Sequence, residues 1–161
     1  MKRTPQYFVV QKPFFDCCNA QSLPVNFVFF LNKRNTNFGQ KQNSREGIER
    51  YNSRKKAFGQ QNTEGSFLSE ITKLTQAFLT ATDLKIFEEA IVIHEKLIAT
   101  LVQLPRAKTL YFNDFWGEIK SLGAWGGDFV LATSDRDVVE TKKYFMSKGF
   151  DTVLRYDEII L

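Results

Sequence analysis

Three observations predict an α+β fold for this chain. An almost wholly apolar run, Val25 to Leu31, reads as a strand buried on both faces. Two stretches, Ser66 to Leu79 and Asp83 to Leu104, repeat apolar residues every three or four positions, as amphipathic helices do. Short strand candidates at Glu118–Leu122, Phe129–Thr133 and Thr152–Arg155 follow, set apart by glycines and one helical segment.

In chain order, Tyr7 to Val10 is a first, short strand candidate, and Val25 to Leu31 a stronger one. Residues 32–43 are polar and rich in Asn, Gln and Lys, which reads as an exposed loop. Ser44 offers an N-cap hydroxyl for a helix to about Phe58, broken over Gly59–Gly65. The next helix carries the stripe Phe67, Ile71, Leu74 and Phe78. Asp83 caps the one after it, whose stripe is Leu84, Phe87, Ile91, His94, Ile98 and Leu101, and Pro105 stops it. Glu118–Leu122 and Phe129–Thr133 flank a glycine-rich turn. Ser134 then caps a helix through Ser147, Gly149 ends it, and Thr152–Arg155 returns as the last strand. Strand, helices, strand, strand, helix, strand is the ferredoxin-like pattern with extra helices in its first half. It implies an antiparallel sheet with helices packed on one face, in a single domain spanning residues 1–161.

Bulk properties narrow the class. A chain of 161 residues with 43% hydrophobic and 25% charged residues is ordinary for one globular domain with its own core. Sixteen phenylalanines point to a thick aromatic core or to a face that something else covers. No apolar run reaches the ~18 residues of a membrane helix, and the basic N-terminus leads into no uninterrupted apolar segment. The adjacent Cys17 and Cys18 are the only cysteines. Neighbours bridge poorly and supply no metal set, so they read as reduced thiols of a cytoplasmic protein. The net charge of +4 hides an imbalance: residues 1–60 sum to +8 and residues 61–161 to −4. The basic half suits phosphate or an acidic surface, but it contains no nucleic-acid reading motif.

The segment Lys120-Ser121-Leu122-Gly123-Ala124-Trp125-Gly126-Gly127-Asp128 lies between two strands. Glycine permits both positive φ and close approach of a ligand to the backbone, although such a stretch taken alone is an ordinary hairpin turn. It resembles the third motif of the GHMP kinases, Lys-x-x-Gly-Ala-Gly-Gly-Gly, in the variant ending Gly-Gly-Asp that phosphomevalonate kinases carry. With Lys41-Gln42-Asn43-Ser44-Arg45-Glu46-Gly47-Ile48, it is most similar to the GYDIA-type GHMP kinases. The similarity runs from about Tyr7 to Leu161, and Trp125 departs from it where the broad family has glycine.

This resemblance implies the C-terminal, substrate-side domain of an ATP-dependent kinase for mevalonate or phosphomevalonate. The substrate and phosphate-binding candidates it implies are Lys120, Ser121, Gly123, Ala124, Gly126, Gly127 and Asp128. Asp128 either braces the loop or touches substrate or metal. Lys41, Ser44 and Arg45 form a second candidate group, because a helix start flanked by cations attracts phosphate; a capped helix with a solvated rim is the plainer reading. His94 reads from its stripe as a half-buried core residue, and the resemblance adds it to the candidates. A solitary histidine makes no metal site. The family's nucleotide loop, of the type Pro-x-x-x-Gly-Leu-Ser-Ser-Ser, and its Gly-Tyr-Asp-Ile-Ala stretch do not occur in this sequence. ATP and Mg2+ are therefore expected in a complete enzyme only. No cofactor and no catalytic residue is assigned to this chain, and the partners expected are the N-terminal kinase half and a small phosphate acceptor. Without that half the chain should be inactive. The competing readings are a non-catalytic phosphate- or metabolite-binding module and a pure interaction domain.

Overall fold

The computed structural model describes residues 28–31, 44–59, 63–122, 129–150 and 152–155. Among these lie β1 (Val28–Leu31), α1 (Ser44–Gly59), α2 (Thr63–Thr80), α3 (Leu84–Val102) and α4 (Ala107–Tyr111). They are followed by β2 (Ile119–Ser121), β3 (Phe129–Ala132), α5 (Val138–Ser147) and β4 (Thr152–Arg155). The fold is α+β. Its four strands form one antiparallel sheet in the order β2-β3-β1-β4. Val28 lies opposite both Ala132 and Arg155, and Ile119 lies opposite Ala132.

Local chemistry sets the helix ends. The Asp83 side chain accepts from the Ile86 N–H at 2.9 Å, satisfying a donor that the first turn of α3 leaves free. Gln103 ends α3 in the left-handed region at φ 53°, and its N–H reaches the Ala99 carbonyl. After α5, Gly149 takes φ 89°. Gly149 N–H then reaches Met146 O and Phe150 N–H reaches Phe145 O, each at 3.0 Å. This pairing satisfies two orphan carbonyls, and it carries Phe150 back onto Phe145.

Burial follows β3 residue by residue. Val130 and Ala132 join a cluster with Phe112, Phe115, Ile119, Phe145, Phe150 and Val153. Leu131, between them, packs instead with Ala81, Phe87 and Ile91. Successive strand residues point to opposite faces, so apolar side chains cover both faces of the sheet. The expectation of helices on one face is corrected accordingly: α3 lies over the Leu131 side, and α5 with Phe112 and Phe115 covers the other. Phe145 stands 5.4 Å from Phe112 and 4.9 Å from Phe115, ring centre to ring centre. Phe112 and Phe145 are almost wholly buried, which contributes about 2–3 kcal/mol each. None of the phenylalanines whose burial is described is exposed, so of the two explanations for their number these serve the core.

Four further expectations change. Gly65 lies inside α2, and only residues 60–62 separate the described parts of α1 and α2. Ser44 is the first helical residue of α1. Asp137 caps α5, accepting from Val139 N at 2.7 Å and Glu140 N at 2.9 Å. Ser134 pairs instead with the Thr141 hydroxyl and accepts from Trp116 Nε1. The short α4 was not foreseen. Tyr7–Val10 and the loop at 32–43 lie outside the described residues. No described helix is long and apolar enough to cross a membrane.

Candidate functional site

The site grows from the contact between α3 and the outer strand β2. The sheet-facing stripe of α3 is Phe87, Ile91 and then Glu95, a carboxylate where the spacing calls for another apolar side chain. Glu95 is 0% exposed. Burial of an ionisable group is tolerated when charges and hydrogen bonds compensate it. Here Ser121 Oγ donates to Glu95 Oε2 at 3.2 Å, and Lys120 Nζ stands 3.8 Å from Glu95 Oε1. His94 Nδ1 lies 3.9 Å from the same Oε1. Lys120 also donates weakly to the Ser121 carbonyl at 3.4 Å.

Compensation is incomplete. Glu95 Oε1 and His94 Nδ1 are buried atoms with no hydrogen-bond partner among the described residues. An unpaired buried acceptor of this kind costs about 1–3 kcal/mol. Burial pulls the Lys120 ammonium below the ordinary lysine range, while the nearby Glu95 charge works in the opposite direction. The Lys120 side chain keeps 21% of its surface and His94 keeps 19%, so the cluster is sealed at Glu95 and partly open at the two bases.

The structure thus brings together His94, Lys120 and Ser121 among the sequence candidates. Gly123, Ala124, Gly126, Gly127, Asp128 and Lys41 lie outside the described residues. Arg45 is exposed in the first turn of α1, and Ser44 is helical. Glu95 is the residue that sequence reasoning missed. The available signal was its place four residues after Ile91, on the same stripe as Phe87.

A second polar group lies nearby. Glu118 accepts from Arg106 Nη2 at 2.8 Å and from Lys108 Nζ at 2.7 Å. The Glu118 N–H donates to the Thr133 hydroxyl at 2.9 Å, and that hydroxyl donates to Glu88 on α3. Gly117 allows this junction, because a Cβ there would sit 1.8 Å from the Thr133 carbonyl oxygen. These contacts tie α3, α4 and the β2–β3 pair together, with Arg106 Nε left buried and without a partner among the described residues. Among the described residues, the Glu95 cluster brings two unpartnered buried atoms, Glu95 Oε1 and His94 Nδ1, to within 3.9 Å of each other.

The described residues contain no group of three or more His, Cys, Asp or Glu side chains placed to hold a metal ion. No protein-family model, curated protein or solved structure matches the chain.

Proposed function

We propose that this chain is the substrate-side half of an ATP-dependent small-molecule kinase of the GHMP superfamily, acting on mevalonate or phosphomevalonate. The observation that carries the reading is the buried Glu95–Lys120–Ser121–His94 cluster, situated where β2 leads into Gly123–Asp128. A desolvated lysine and a fixed hydroxyl are the kind of preorganised groups that phosphoryl transfer uses to hold its reactants. The strand order β2-β3-β1-β4 and the helical connections after β1 and β3 support the ferredoxin-like part of the reading. The helical layer on the second face of the sheet is a departure from it.

ATP and Mg2+ belong in this reading to a separate nucleotide-holding half, because the sequence lacks the Pro-x-x-x-Gly-Leu-Ser-Ser-Ser stretch. That half and the small phosphate acceptor are the proposed partners, and the complex is proposed to work in the cytoplasm. Within the cluster, Lys120 and Ser121 bind and orient the acceptor, and His94 closes the side of the site formed by α3.

The test combines the purified chain with the nucleotide-holding half of a GYDIA-type kinase and measures ADP release with mevalonate and with phosphomevalonate. Transfer should require both halves. Gly126→Ala should sharply lower kcat/KM with a shift of only a few degrees in melting. Should neither half-mixture transfer phosphate nor the chain bind either acceptor by calorimetry, the kinase reading is lost. Binding without transfer would favour the non-catalytic metabolite-binding module.

A further inference from the structure

The Lys120–Glu95 pair is electrically neutral, which changes what the cluster is suited to bind. A phosphate dianion brought to Lys120 would meet the Glu95 carboxylate, fully buried and unable to turn out to water. Ser121 has already committed its hydroxyl proton to Glu95. Without a hydrogen-bond partner among the described residues is one buried acceptor, Glu95 Oε1, which lies near two nitrogens: Lys120 Nζ at 3.8 Å and His94 Nδ1 at 3.9 Å. Those separations are too long for direct hydrogen bonds. An oxygen about 2.8 Å from either side bridges each gap. A group that fits must donate one hydrogen bond to the carboxylate and accept from the ammonium or imidazole. An alcohol hydroxyl does both without bringing charge, whereas the P–OH of a phosphate dianion would bring two negative charges against the buried carboxylate.

We infer that Glu95, Lys120 and His94 form a binding site for the hydroxyl group of an alcohol ligand, with Glu95 Oε1 as its acceptor and Lys120 Nζ as its donor. The inference deepens the kinase reading, and it rests on that reading only for which alcohol is the natural one. The ligand class is a short-chain polyol or hydroxy acid, and phosphate groups bind elsewhere.

His94 is the only histidine in the chain, so its imidazole resonances report on the cluster without ambiguity. Three probes are titrated into the 161-residue chain and followed by NMR: butane-1,3-diol, mevalonate and inorganic phosphate. The diol and mevalonate should give saturable His94 shifts, in roughly the millimolar range for ligands this small. Phosphate should give none. Glu95→Gln keeps an acceptor for Ser121 but loses the charge, and it should weaken the diol at least about ten-fold. The wild-type titrations decide the matter if that variant does not fold.

Saturation by phosphate but not by the diol would overturn the inference and return Lys120 to a phosphate role. No response to any probe would also overturn it, leaving a structural water to fill the gap. Mevalonate binding without diol binding would assign recognition to the carboxylate, against the inference but not against the kinase. Diol binding without mevalonate binding would keep the hydroxyl site and remove the kinase reading.

Discussion

Ser121 Oγ donates to Glu95 Oε2 at 3.2 Å across 26 positions of sequence, so the carboxylate beside Lys120 also fastens α3 to β2. Glu95→Ala removes this tie and leaves the Lys120 ammonium without its counter-charge. The loss should be about 3 kcal/mol, or roughly 6–12 °C in melting midpoint. Glu95→Gln should cost less, because an amide oxygen still receives the Ser121 proton. Circular dichroism melts of the two variants test this, and equal melting of Glu95→Ala and wild type would contradict the role given to the pair.

Lys120→Met tests the burial of the amine. Its lowered pKa means that the charged form is less welcome in the fold than in the unfolded chain. Between that folded value and the ordinary 10.5, the unfolded chain binds the proton more readily. Wild-type stability should therefore rise relative to Lys120→Met as pH climbs through this alkaline range. Denaturant unfolding of both proteins from pH 7 upward gives the difference; a flat difference would show that the amine is not desolvated.

Two glycines should respond in opposite directions to alanine. At Gly117 the new methyl would strike the Thr133 carbonyl, so Gly117→Ala should cost about 3 kcal/mol or fail to fold. At Gly65, inside α2, nothing lies within 4 Å of the added carbon. Gly65→Ala should stabilise by about 0.5–1 kcal/mol. Thermal melts settle both, and a tolerated Gly117→Ala would contradict the close approach of Gly117 to the Thr133 carbonyl.

An acid-sensitive contact closes α5 onto the loop before β2. Asp114 accepts from Lys148 Nζ at 2.8 Å and from the Tyr144 hydroxyl at 2.6 Å. The bond from Lys148, then that from Tyr144, holds its carboxyl below the usual 3.8. Its contribution is thus present above pH 3.8 and fades as the pH falls through the lower folded value. Asp114→Asn should melt below wild type at pH 7, and the difference should shrink as the pH is lowered below 3.8. Burial and then Asp114 raise the Tyr144 phenol, so in Asp114→Asn its ultraviolet ionisation should move to lower pH.

What the sequence revealed was the part governed by local rules. Asp83 before an apolar stripe and the Phe129–Thr133 run gave their elements to within a residue or two, and Gly149 gave the end of α5. Gly65 misled because helix context outweighed a weak propensity. Ser134 misled because its hydroxyl found Thr141 and Trp116 across the fold, leaving the capping to Asp137. The second helical layer was hidden for a similar reason: Phe112 and Phe115 sit in a loop with no periodicity to expose their burial. In the candidate site, Lys120 and Ser121 were named through the resemblance of their segment to the GHMP motif. Glu95 was not, because a single carboxylate on a helix reads as solvent-facing until the strand that meets it is known.

The position of β1 sets the order of events during synthesis. It lies between β3 and β4, and those strands are made roughly a hundred residues later. While the chain leaves the ribosome, α1, α2 and α3 have neighbours close in sequence and can associate as they emerge. Among the described residues, the Val28–Leu31 strand finds its pairing partners only once Ala132 and then Arg155 are available. An apolar segment held open for so long is a template for the same segment of another nascent chain. Expression yield should therefore depend on how quickly the C-terminal hairpin and β4 follow, and slow-codon stretches placed after Val102 should favour aggregates over folded protein.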